Sequence, residues 1–133
     1  MSMNKQYQAY QDNAVNTATG GELTLMLYNG CLKFIKRAQK DMKENNHEGK
    51  NTHIQKAQDI IQELMLTLDQ TVDLAKQLLP LYEYIHHLLT EANINNEVKL
   101  LEQALSFVTE LRDTWKEVIL KTRQKQFAQG SQV

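Results

Sequence analysis

Four stretches of apolar residues, each repeating at intervals of three and four and separated by short polar breaks, constrain this chain more than any other feature. Such spacing gathers side chains on one side of a helix. The first stripe runs from Leu23 through Met26, Leu27, Gly30, Cys31, Phe34, Ile35 and Ala38 to Met42. Thr19 and Glu22 in front of it have the spacing of a capping box. This helix is expected to stop in "KENNHEGKN", where Asn45, Asn46 and Gly49 offer turn chemistry. A second stripe, Ile54, Ala57, Ile61, Leu64, Met65 and Leu68, is expected to start after Asn51 or Thr52. The third carries Leu74, Leu78, Leu81, Tyr82, Ile85, Leu88, Leu89 and Ala92 and is expected to end at Asn93. Pro80 either kinks it or starts its regular part, because proline lacks the amide proton that a helix interior uses. The fourth, with Val98, Leu101, Leu105, Val108, Trp115 and Ile119, extends toward Gln126.

Helices of these lengths would be roughly 30 to 45 Å long, and short connections make neighbours antiparallel. The fold class predicted is all-α: an antiparallel up-down four-helix bundle, with an N-terminal extended or short helical segment packed on it. Composition agrees, since one proline, five glycines and abundant Leu, Gln, Lys, Glu and Ala favour helix over strand. At 133 residues one domain is expected, spanning 1–126 with residues 1–18 as an N-terminal cap segment and 127–133 as a flexible tail.

Fifteen basic residues against sixteen acidic ones leave a net charge of -1, which removes any global electrostatic drive toward nucleic acid or anionic membrane. No apolar run approaches the length of a bilayer span, the N-terminus is too polar for a signal peptide, and the single Cys31 has no internal disulfide partner. A cytoplasmic protein with no membrane insertion and no nucleic-acid partner is expected.

The apolar residues exceed what a simple bundle needs. In "LTLMLY", Leu23 to Tyr28, five of six positions are apolar, and Leu25, Tyr28 and Leu32 flank the first stripe. Leu79 and Tyr84 widen the third, and the fourth carries a second row: Leu100, Ala104, Phe107, Leu111 and Val118. A bundle helix buries about three positions in seven. The surplus is either a thick core, with the first twenty residues folded over it, or a groove for an amphipathic partner helix. Tyr7, Tyr10 and Val15 give the N-terminal segment the apolar contacts of a movable cover or of a fixed strap.

Three patterns resemble chemistry. Glu44 with His47 and Glu83 with His86 have the Glu-x-x-His spacing of di-iron bundles, yet the first pair falls in a turn and the second mid-helix. No metal site and no cofactor are expected. His53 and Lys56 have the His-x-x-Lys spacing of histidine phosphotransfer bundles, although Ala57 and Gln58 follow where a small residue usually leaves room for a docking partner. A phosphotransfer bundle acting through His53 is the alternative function. Cys31 lacks a neighbouring base, Gly20 and Gly21 form no phosphate loop, and Lys116, Lys121, Arg123 and Lys125 suit the negative end of a helix. No catalytic residues and no enzyme activity are expected.

"YQAYQDNAVNTATGGELTLMLYNGCLKFIKRA", "LYEYIHHLLTEANINNE" and "FVTELRDTWKEV" resemble, in order, the signature blocks of the flagellin-specific export chaperones, the FliS family. That resemblance covers about Tyr7 to Ile119. It implies an antiparallel helical bundle that binds the disordered C-terminal region of flagellin in the cytoplasm, prevents premature polymerisation and aids delivery to the export apparatus. It also implies that the N-terminal tyrosines, here Tyr7 and Tyr10, cover a groove and engage the cytoplasmic domain of the export gate. Gly20 stands where the family commonly has proline, which leaves the N-terminal segment looser. The partner-binding residues expected are Tyr7, Tyr10, Leu25, Tyr28, Leu32, Tyr82, Tyr84, Leu88, Phe107, Leu111 and Trp115, in a monomer or weak homodimer.

Overall fold

The computed structural model describes residues 20–69 and 71–131. Among them are four helices and no strand: α1 Gly20–Lys43, α2 His47–Leu66, α3 Asp73–Asn95 and α4 Val98–Ser131. Each helix packs on its neighbours in sequence, and α4 returns to α1, so the four close into a ring around one core. This is the expected all-α bundle. Thr19, Tyr7, Tyr10, Val15 and the cap segment 1–18 lie outside the described residues.

The core is built from the residues that the stripes share. Cys31 and Ile35 of α1, Ile54 and Ile61 of α2, Ile85 and Leu89 of α3, and Leu101 and Val108 of α4 are all buried. Gly30 lets α1 and α2 approach closely: a Cβ there would sit 3.3 Å from Ile60 Cδ1.

The boundaries differ from expectation at two turns, for one reason. Asn45 and Asn96 both adopt the left-handed conformation, with φ of 55° and 53°. Asparagine tolerates it better than most residues, so each can end a helix where glycine usually would. The amides that follow then reach back to unpaired carbonyls, Asn46 N to Asp41 O at 2.8 Å and Glu97 N to Ala92 O at 3.1 Å. Consequently α3 runs on to Asn95. Likewise α2 starts at His47, ahead of the expected Asn51 or Thr52, because the Asn46 side chain accepts from Gly49 N at 3.0 Å as N-cap. Gly49 is therefore a helical residue of α2.

Pro80 lies inside α3 on its exposed side, where it removes the amide that would have bonded the Lys76 carbonyl. α4 has 34 residues against 24 in α1, about 51 Å against about 36 Å. Its backbone continues past the expected limit near Gln126 to Ser131. Trp115 and Ile119 pack beside Gly21 at the start of α1, so the turns of α4 beyond them extend past that helix. Val118 and Leu120 are exposed.

A polar seam closes the opposite end. Lys50 is buried, and its ammonium donates to Asn93 O at 3.1 Å and Asn96 Oδ1 at 3.3 Å, placing a cation at the negative end of α3. Asn93 Nδ2 donates to Asn51 Oδ1 at 2.8 Å. His53 Nδ1 donates to the buried Asp41 carboxylate at 2.5 Å.

Candidate functional site

The end of the bundle away from this seam holds a pocket of about 190 Å³. Thr24 and Tyr28 of α1 form one wall, and Thr67, Leu68 and Asp69 follow the end of α2. Val72, Leu74, Ala75, Leu78 and Tyr82 form the α3 side, and Trp115 closes it from α4. Apolar groups dominate, as in most recognition pockets. The spacing that the sequence supplies explains why: Leu74, Leu78 and Tyr82 stand one turn apart on one side of α3.

Tyr28 and Tyr82 form the polar part of the wall. Their hydroxyl oxygens are 2.5 Å apart, and each side chain is only 2% exposed. Burial first, and then the neighbouring phenol, push the Tyr28 hydroxyl well above its ordinary range. Burial also raises Tyr82. Both are therefore neutral hydroxyls at physiological pH. Trp115 Nε1 donates to the Gly21 carbonyl at 2.8 Å, and Arg123 pairs with Glu22, so two contacts hold the late part of α4 to the first turn of α1.

Of the residues expected to bind a partner, Tyr28, Tyr82 and Trp115 meet around this pocket. Tyr84 and Phe107 meet elsewhere, edge to face across the α3–α4 seam with ring centroids 5.7 Å apart, and Tyr84 is 46% exposed. Leu25 and Leu111 are half-buried on α1 and α4. Leu32 and Leu88 are in the core, occupied by their own bundle. Tyr7 and Tyr10 are outside the described residues. Sequence reading did not single out Thr67, Asp69 or Val72, which join the pocket because the turn after α2 folds back beside α3. No local pattern marks such residues, since the closure of the bundle brings them there. The crowded "LTLMLY" segment divides its apolar groups: Tyr28 faces inward, Leu23, Leu25 and Leu27 are half-buried, and Met26 is exposed.

His53 is half-buried rather than a free surface imidazole. Its ring lies 6.2 Å from Phe34, nearly parallel to it, with Nδ1 engaged by Asp41. Lys56, one turn on, sits over Phe34, 5.4 Å from the ring centroid. Glu44 and His47 flank the first turn, whereas Glu83 and His86 stand in α3, and among the described residues no group of three or more His, Cys, Asp or Glu is gathered to hold a metal ion. Cys31 is buried, and burial pushes its thiol up to about 12, which suppresses the reactive thiolate. Among the described residues no helix is long and apolar enough to cross a membrane.

Comparison with known proteins places this bundle. A flagellar chaperone from bacteria, solved by crystallography, superposes with a TM-score of 0.72 at 21% identity, over 88% of this chain and 97% of that one. The flagellar secretion chaperone FliS of Bacillus subtilis (strain 168) is 45% identical over 130 residues, 98% of both chains. The protein of the same name from Escherichia coli (strain K12) is 34% identical over 112 residues, 82% of both chains. Residues 3–122 match the family described as flagellar protein FliS. The resemblance carried by the tyrosine-rich start and the α3 and α4 blocks is thereby confirmed, and the chain belongs to the FliS family of flagellar secretion chaperones.

Proposed function

We propose that this protein binds the disordered C-terminal region of flagellin in the cytoplasm, prevents its premature polymerisation and hands it to the flagellar export apparatus. The observation that carries this reading is the apolar pocket at one end of the bundle beside the exposed Leu74 and Val72, together with the half-buried Leu111 and Trp115 of α4. An amphipathic segment with anchors at helical spacing would cover such a surface. Leu25, Tyr28, Tyr82, Tyr84, Phe107, Leu111 and Trp115 supply contacts. Leu32 and Leu88 lie beneath them and would be reached only if the helices part. The N-terminal segment, through Tyr7 and Tyr10, covers the groove when the protein is empty and engages the cytoplasmic domain of the export gate when it is loaded.

Binding is stoichiometric, by a monomer or weak homodimer, and uses no cofactor. Ordering the flagellin tail costs conformational entropy, so affinity is moderate for the area covered. The test is co-purification with flagellin and with flagellin lacking its C-terminal region. Full-length flagellin is retained and the truncated form is lost; equal recovery of both would overturn the proposal.

A further inference from the structure

Two phenols bonded to each other carry two hydroxyl hydrogens, and a single bond between them uses one. Tyr28 and Tyr82 are such a pair: their oxygens are 2.5 Å apart, both side chains are almost wholly buried, and each has the other as its hydrogen-bond partner. Among the described residues, one O–H is left without an acceptor. Both residues line the same pocket, whose other walls are largely apolar. A buried hydroxyl hydrogen without an acceptor is costly, and it gains most from an occupant that brings one.

We propose that the pocket is a recognition subsite for a neutral carbonyl oxygen of the flagellin segment, which accepts the spare hydroxyl hydrogen of the Tyr28–Tyr82 pair. This rests on the flagellin-binding reading above and assigns its polar specificity. Neutrality follows from the surroundings. A carboxylate entering this largely apolar pocket would lose its hydration, and two neutral hydroxyls bring no charge to offset that loss. A carbonyl oxygen, already neutral, loses far less. It comes either from an Asn or Gln side chain or from a main-chain carbonyl left unpaired at a helix end.

The experiment is calorimetric titration of the recombinant flagellin C-terminal segment into the full chain and into the double variant Tyr28→Phe with Tyr82→Phe. The double variant keeps the apolar wall and removes both hydroxyls. Its dissociation constant rises by about two- to tenfold, the worth of one net hydrogen bond. Replacing each Asn and Gln of the segment in turn by Leu distinguishes the sources: one substitution that abolishes the difference between the two proteins assigns a side-chain amide, and none assigns a main-chain carbonyl. Equal affinity of the wild-type and Phe proteins overturns this inference alone; absence of binding by the wild type overturns the functional reading and this inference with it. Should the double variant melt early, fluorotyrosine placed at 28 and 82 of the otherwise intact chain gives a second readout. Its fluorine resonances shift on binding if a carbonyl docks on the hydroxyls, and unchanged resonances in the saturated complex overturn the proposal.

Discussion

Trp115 donates its indole N–H to the main-chain carbonyl of Gly21, joining residues 94 positions apart at 2.8 Å. A Cβ at Gly21 would stand 3.9 Å from that nitrogen, in ordinary contact, so the close pairing does not depend on glycine there. Replacing Trp115 with Phe keeps an aromatic ring and removes the donor. The expected loss is about 1 kcal/mol in urea unfolding. Hydrogen exchange at the amides of the first α1 turns should accelerate relative to those near Ile35.

Gly49 makes an unusual prediction for a helical glycine. Alanine usually stabilises a helix interior relative to glycine by about 1 kcal/mol. Here a Cβ would lie 2.6 Å from Asn46 Nδ2, 2.9 Å from Asn46 Cγ and 3.0 Å from Asp41 Cγ. Gly49→Ala must therefore expel the cap that bonds Gly49 N, and a net loss of about 1 kcal/mol is expected in thermal melts. In an Asn46→Gly background the penalty shrinks, because the cap side chain is already gone.

His53 tests whether the seam is structural. Its removal leaves the buried Asp41 carboxylate with a 3.5 Å contact from Asn46 Nδ2 in place of the 2.5 Å bond. His53→Ala is expected to cost about 1–3 kcal/mol. Incubation of the wild type with a small-molecule phosphodonor should leave no acid-labile phosphate on His53, as judged by intact mass.

Stability should fall at alkaline pH. Cys31 is raised from 9.0 to about 12 by burial, and Tyr28 and Tyr82 are raised above 10.0. The folded state thus keeps protons that the unfolded chain releases, so stability is full below about pH 9 and is lost progressively as pH rises. Each such group contributes a slope of about 1.4 kcal/mol per pH unit. Cys31→Ala should flatten the decline between pH 9 and 10 in urea titrations, leaving the steeper tyrosine-driven loss above it.

Tyr84 separates binding from folding. It is largely exposed and meets Phe107 edge to face, so Tyr84→Ala should cost less than about 1 kcal/mol of stability. Affinity for the flagellin segment should fall by roughly tenfold, the range of a modest interface anchor. Trimming residues 1–16 should act in the opposite direction and tighten flagellin binding, measured in the same titration, if the proposed cover competes for the groove; unchanged or weaker binding would make the segment a fixed strap.

The helices were readable because their apolar spacing is local and repeats over many turns. Gly49 and Lys50 show where that reading stops. In "KENNHEGKN" the asparagines and glycine signal a turn, yet Asn46 caps a helix that contains both Gly49 and Lys50, and the buried Lys50 finds its acceptors at the far end of α3. Tyr28, Tyr82 and Trp115 could be named as candidate contacts from their place beside the stripes. That two hydroxyls meet, and that Asp69 lines the same pocket, depends on how α1 and α3 are brought into register by α2 and α4, which no short segment encodes.

The unequal lengths of α1 and α4 divide the labour of the chain. Substitutions near Val108 disturb a shared interior, whereas those at Val118 and Leu120 alter an exposed face of α4 beside its junction with Gly21. Sequence can therefore drift on that face while the body beneath it stays intact.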